Sequence, residues 1–147
     1  MYEQDLFTKE GRFFHIGIDL GAPAGTEVFA FAQGAIINMG VNNAPGDYGP
    51  TLITEHDYEG RQLYALWGHL KKESLLGKTI GQKLEIGEQI AWLGDESENG
   101  GWPPHLHFQL SREKPEVCDM PGTVNDEDRE KALVRFPDPR LVLGPIY

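Results

Sequence analysis

Apolar positions along this chain come in short runs that alternate with polar ones, the two-residue period of a β-strand, and glycine, proline or acidic clusters separate the runs. RFFHIGIDL (Arg12 to Leu20) reads as a strand closed by GAPAG, Gly21 to Gly25. TEVFAFAQGAIINMG reads as a pair of strands with Gly34 at a bend or bulge. VNNAPGDYGP is a loop by composition. TLITEH (Thr51 to His56) and RQLYALWGHL (Arg61 to Leu70) flank DYEG and predict a hairpin. KTIGQKLEIGEQIAWLG spaces Gly81, Gly87 and Gly94 between short apolar segments, as in tightly wound small β barrels or sandwiches. DESENGGWPP is a second loop, and PHLHFQLSR is a further strand. On that strand His105, His107 and Gln109 share one face, while Leu106, Phe108 and Leu110 share the other, which is apolar enough to lie on a core.

Beyond Arg112 the pattern shifts towards charge. Asn125 is placed to cap a short helix whose first turn carries Asp126, Glu127 and Asp128, favourable to the helix dipole. FPDP ends it, because Pro137 and Pro139 cannot continue a helix. This tail reads as scaffold, and its acidic run as a solvated helix start. The expected fold is therefore all-β: a twisted antiparallel sheet or sandwich with a short C-terminal helix. Residues 1–147 form one domain in this reading, with a core over 12–112 and an extension over 113–147.

A chain of 147 residues is one domain long, and 18 glycines and 10 prolines favour many turns over long helices. With 23 acidic against 13 basic residues the formal charge is -10, which argues against binding nucleic acid or anionic membranes and fits a neutral or cationic partner better. Cys118 is the single cysteine, and no N-terminal run has the form of a signal peptide, so a reducing, cytoplasmic setting is expected. No apolar stretch approaches the length needed to cross a bilayer.

Candidate chemistry lies in the histidines. His15 and Asp19, in HIGID, are four apart, and on a continuous strand they share one face with open space at Gly17 between them. His69 ends WGHL, and His105 and His107 form HLH. Imidazole and carboxylate are good zinc ligands, and a catalytic zinc commonly takes three protein ligands. His15, Asp19 and one HLH histidine supply such a set. His69 and the other HLH histidine are then free to orient or deprotonate an attacking water and to stabilise charge on a carbonyl. His56 lies beside the DYEG turn without a partner pattern and is assigned a structural role.

HIGID, then WGHL, then HLHF, in this order, resembles the lysostaphin-type (LytM-like) zinc metallopeptidases, known chiefly as peptidoglycan endopeptidases. The resemblance covers about Arg12 to Arg112 and departs from the family where Trp67 replaces the usual tyrosine and PPHLHF replaces the commoner lead-in. It implies the family's β fold, a duplicated hybrid motif, and one Zn²⁺ per chain held by His15, Asp19 and His107. His69 and His105 fall on the catalytic histidines, and the implied reaction is hydrolysis of a peptide or amide bond in a peptide substrate. The site is expected in a groove on one sheet face, walled by loops 41–50 and 95–104. DYGPTL, ENGGWPPHLHFQL, the Asp-Met-Pro-Gly stretch and FPDPRLVLG together resemble a narrower group. These are peptidase-like domains of large bacterial proteins, set between a phosphotransferase-like domain and a class III, pyridoxal-phosphate-dependent aminotransferase. That implies those domains as covalent partners. Two other functional classes compete: a zinc-retaining module without catalysis, and a phosphoryl carrier resembling sugar-phosphotransferase enzyme IIA, whose chemistry needs no H-x-H metal strand.

Overall fold

A computed structural model describes residues 13–44 and 46–143; the expected start of the core at Arg12 lies outside the described residues. Among the described residues ten strands run in chain order: β1 (Phe13–His15), β2 (Ile18–Gly21), β3 (Glu27–Phe29), β4 (Gly34–Asn42), β5 (Gly49–Tyr58), β6 (Arg61–Gly68), β7 (Lys83–Leu84), β8 (Gln89–Trp92), β9 (His105–Ser111) and β10 (Thr123–Asn125). Six of them form one sheet in the order β2-β9-β6-β5-β4-β7, and β1-β10 and β3-β8 form two small flanking sheets. All of the pairings are antiparallel. The architecture is the mostly antiparallel β fold expected.

The β5–β6 hairpin sets the register of the large sheet. Tyr58 pairs with Arg61, so DYEG shrinks to a two-residue turn at Glu59 and Gly60. Both have positive φ, 52° and 79°, as the tight hairpin turn that matches strand twist requires. From that turn Leu63, Ala65 and Trp67 point into one hydrophobic core, with Ile36, Leu52, Phe108 and Leu110. Tyr64 and Leu66 point into a second, on the opposite face, with Ile53, Met120, Ala132 and Phe136. Met120, Ala132 and Phe136 belong to the extension, which therefore covers the sheet's second face. That is why β6 and β9 are buried almost continuously and not on one side only.

Within the extension, Asn125 Oδ1 accepts a hydrogen bond from the Asp128 backbone N–H at 3.0 Å. A 3-10 turn (Asp126–Asp128) leads into helix α1 (Arg129–Arg135), which stops before FPDP as expected. A further single turn, α2 (Arg140–Leu143), follows. Pro139 precedes it without harm, because a proline at a helix start removes an N–H that has no partner there. The Asp138 carboxylate accepts from the Arg140 N–H at 2.9 Å.

Two expectations are corrected. RFFHIGIDL is not one strand: β1 and β2 belong to different sheets, and the chain turns at Gly17, where φ is +85°. The space beside Gly17 is filled by β9, since a Cβ there would lie 2.7 Å from the Phe108 carbonyl oxygen and 3.0 Å from Gln109 Cβ. Likewise the two strands of TEVFAFAQGAIINMG do not pair with each other. β3 joins β8, β4 joins β5 and β7, and the bulge falls at Ile37, between Ile36 and Asn38.

His56 is a core residue. Its Nδ1–H faces the Ala32 and Gln33 carbonyls at 3.2 Å each, and Nε2 accepts from Thr54 Oγ1 at 2.7 Å, which in turn accepts from the Trp67 indole N–H at 2.8 Å. Burial lowers its pKa against the opposing pull of those carbonyls.

Gly17→Ala should cost roughly 1–3 kcal/mol, read as a lower urea midpoint, because the new Cβ meets both a positive φ and the β9 backbone. For His56 the unfolded chain takes up a proton near pH 6.5 and the folded chain only at lower pH, so stability is complete above about 6.5 and falls below it. Urea midpoints measured from about pH 7.5 down to about 5.5 should fall less steeply in His56→Leu than in the wild type.

Candidate functional site

The pairing of β2 with β9 places Asp19 opposite His107 and Gly21 opposite His105. His15, at the end of β1, pairs across to Thr123 of β10. The turn at Gly17 then brings His15 back over the β2–β9 pair. Asp19 becomes the hub: its Oδ2 lies 3.2 Å from His15 Nε2, and its Oδ1 lies 3.0 Å from His107 Nδ1 and 3.7 Å from His105 Nε2. One ligand atom each from His15, Asp19 and His107 can be chosen so that all lie within 4.8 Å of one another. The His69 and His105 rings lie beside them, tilted by 42° with centroids 4.3 Å apart. All five histidine and aspartate positions singled out in the sequence line a single cavity of ≈ 290 Å³.

Electrostatics suit a cation at this place. Burial alone would raise the Asp19 pKa, but the contacts with His107 and His15 outweigh it and hold the carboxyl well below the usual carboxylate range. The result is a carboxylate anion between imidazole nitrogens, largely shielded from water. Two imidazoles and one carboxylate, with ligand atoms this close, fit a divalent zinc-type ion.

His69 is held differently. It directly follows β6 with φ +63°, a left-handed conformation that an L-residue adopts at some cost, secured by its N–H donating to the Tyr48 carbonyl at 2.6 Å. Its Nδ1–H donates to the Asn99 carbonyl at 2.8 Å. Burial lowers its pKa to about 4, although that hydrogen bond opposes the shift. The ring is therefore neutral at ordinary pH, with Nε2 as its free acceptor. In His105 the Nδ1–H donates to the Pro103 carbonyl at 2.7 Å, which likewise leaves Nε2 towards Asp19.

The expected loops do wall the cavity, through Gly46, Asp47 and Tyr48 on one side and Trp102 on the other. The Trp102 indole N–H donates to the Asp47 carbonyl at 3.2 Å and ties the two walls together. Asn99, fully buried, organises the second loop: its amide donates to the Gly94 and Trp102 carbonyls, and its Oδ1 accepts from the Gly101 and Trp102 N–H groups.

A third wall was not anticipated. Asp119 to Thr123, in the tail read as scaffold, line the cavity as well. The strap is tied down by four hydrogen bonds: Asn42 Nδ2 to the Cys118 carbonyl (2.9 Å), Tyr48 Oη to the Met120 carbonyl (3.0 Å), Gln109 Nε2 to the Pro121 carbonyl (3.1 Å) and Ile16 N–H to the Gly122 carbonyl (2.7 Å). All of these acceptors are backbone carbonyls, which every residue type carries, so no pattern in the sequence marks them. Burial, then the nearby Asp47, raises the Asp119 pKa.

Comparison with known proteins agrees with this geometry. Residues 13–119 match the model of Peptidase family M23. The glycyl-glycine endopeptidase ALE-1 of Staphylococcus capitis is 35% identical over 95 residues, 65% of this chain and 24% of that protein. Lysostaphin of Staphylococcus simulans is 36% identical over 95 residues, 65% of this chain and 17% of its own length. The DD-carboxypeptidase/endopeptidase Mpg of Neisseria meningitidis serogroup B is 31% identical over 127 residues, 86% of this chain and 24% of Mpg. The chain thus spans less than a quarter of the length of these relatives. Among solved structures, a mutant catalytic domain of the prophage-encoded M23 protein EnpA from Enterococcus faecalis shares the fold. It superposes with a TM-score of 0.56 at 24% identity, over 78% of this chain and 77% of that one.

Asn99→Ala should destabilise the chain by roughly 1–3 kcal/mol, because it removes a fully buried amide and leaves the Gly94 carbonyl and the Gly101 and Trp102 N–H groups without their side-chain partner. Urea unfolding reads that loss, and a red shift of Trp102 emission would report the opening of the loop.

Proposed function

Because the chain belongs to peptidase family M23, we propose that it is a zinc-dependent metalloendopeptidase in which His15, Asp19 and His107 hold one Zn²⁺ and His69 and His105 carry out proton transfer and charge stabilisation. The observation that carries this reading is the ionised Asp19 between His15 Nε2 and His107 Nδ1, beside the neighbouring rings of His69 and His105 in one cavity.

Zinc bound by these residues supplies Lewis acidity, which polarises a scissile carbonyl and brings the pKa of a water to about 7. Neutral His69, its Nδ1–H committed to the Asn99 carbonyl, offers Nε2 as a proton acceptor for the attacking water. His105, oriented by the Pro103 carbonyl, presents Nε2 on the same side of the cavity. Protonated, it donates a hydrogen bond to the developing oxyanion or a proton to the leaving amine. Trp102 and Tyr48 narrow the approach, which favours an extended peptide with small residues at the scissile bond. The activities of the relatives, a glycyl-glycine endopeptidase and a DD-carboxypeptidase/endopeptidase, support the same bond type.

The bond type is what we carry over from these relatives, not the polymer that contains it. The fusion to phosphotransferase-like and aminotransferase domains, and the cytoplasmic setting that would go with it, belong to this proposal and rest on the sequence stretches quoted above.

The test is zinc analysis joined to cleavage of a peptide library that includes oligoglycines. The wild type should hold one zinc per chain and cleave, and His105→Ala at matched zinc occupancy should lose on the order of 10²–10⁴-fold in kcat. Zinc retained without cleavage of any peptide would identify a non-catalytic module. A chain that takes up no zinc but accepts a phosphoryl group on histidine would be a carrier.

A further inference from the structure

One polar side chain on the face of β9 that carries the site has no role in the chemistry above. Gln109 is fully buried, two residues beyond His107 on the same side of the strand. The two ends of its amide are told apart by their surroundings. Nε2 lies 3.1 Å from the Pro121 carbonyl oxygen, which can only accept, so the amide nitrogen must face it. That turns Oε1 to His107 Nε2 at 2.8 Å. An amide oxygen cannot donate, so His107 carries a proton on Nε2, and Nδ1 is the nitrogen left to face Asp19 Oδ1 at 3.0 Å.

We propose that Gln109 is a positioning residue for the metal centre: clamped by the Pro121 carbonyl, it holds His107 with its proton on Nε2 and thereby offers Nδ1 to the ion. The inference rests on the zinc reading of the site. The clamp is built from three parts of the chain. The strap holds the Pro121 carbonyl in place through the Ile16 N–H to Gly122 bond on one side and the Tyr48 Oη to Met120 bond on the other. The β9 strand carries Gln109 and His107 in fixed register against β6 and β2. Gly17 admits them, since a Cβ there would lie 3.0 Å from Gln109 Cβ and 3.2 Å from His107 Nε2. A hydrogen bond of this kind to the distal nitrogen of a ligating histidine fixes ring orientation and raises basicity, so its loss weakens metal binding without removing a ligand. The strap, distant in sequence from HLH, thus acts on the metal ligand through a single glutamine.

The experiment uses the full chain, with zinc as the probe. Zinc Kd is measured by competition with a chelating dye for the wild type, Gln109→Met and Gln109→Glu, and nitrogen NMR of histidine-labelled, zinc-loaded protein assigns the ligating and the protonated nitrogen of His107. Gln109→Met should raise the zinc Kd about 10–100-fold, while Gln109→Glu, which keeps an acceptor for Nε2–H but loses the donor to the Pro121 carbonyl, should raise it less. The wild-type His107 ring should ligate through Nδ1 and keep its proton on Nε2. Wild-type affinity in Gln109→Met, or a His107 that ligates through Nε2, would overturn the role of Gln109 and leave the zinc reading standing. A wild type that takes up no zinc would overturn both. Should Gln109→Met fail to fold, the wild-type ring assignment of His107 decides the matter.

Discussion

Antiparallel pairing of β2 with β9 is the constraint on which the rest of this structure depends. It sets Asp19 against His107 and brings the backbone of β2 so close to β9 that only glycine fits at position 17. The turn at Gly17 then folds His15 back towards the same carboxylate. A single register thus gathers two imidazoles about one anion. It also fixes the cost of the arrangement: a shielded carboxylate is tolerated only while positive or hydrogen-bonding partners surround it. One residue of slip in this pair would turn Asp19 to the other face and leave His107 without its partner.

The second face of the sheet shows how a polar site can be buried without loss of fold. The first face packs as an ordinary apolar core around Leu52, Trp67, Phe108 and Leu110. The second carries His107, Gln109 and Ser111 among Tyr64, Leu66 and Ile53, and is roofed by the extension. Among the described residues no buried side-chain nitrogen or oxygen lacks a hydrogen-bond partner. The roof is both packing and wall: α1 and Phe136 supply apolar cover, and the strap from Cys118 to Gly122 supplies carbonyls to Asn42, Tyr48, Ile16 and Gln109. The cavity is the gap left between the strap and the two loops joined by the Trp102 to Asp47 hydrogen bond.

The parts governed by local rules were legible from the residues alone. Alternation of Leu106, Phe108 and Leu110 with His105, His107 and Gln109 follows from the pleat of a strand and holds in β9. The DYEG turn and the helix stop at FPDP depend on short-range backbone preferences and are found where those preferences place them, while the Asn125 side chain caps the 3-10 turn that precedes α1 and not α1 itself. The order HIGID, WGHL, HLHF marked the residues that now line one cavity. The break in RFFHIGIDL was hidden, because its alternation is unbroken and the cause is the passage of β9 close by. The partners of β3 and β4 were hidden for the same reason: pairing joins segments far apart in sequence.

The sequence by itself determined which side chains can do chemistry, which strand faces they occupy and where turns must fall, since these follow from side-chain type, two-residue periodicity and the φ range open to each residue. Only the tertiary structure decided that His15 reaches Asp19 through a turn and not along a strand, that His69 is kept neutral by burial and oriented by a carbonyl from the 95–102 loop, and that the tail forms a wall of the site. Those outcomes rest on long-range backbone hydrogen bonds and on close approach at Gly17. Backbone groups are the same at almost every position, so no residue type records where they will meet.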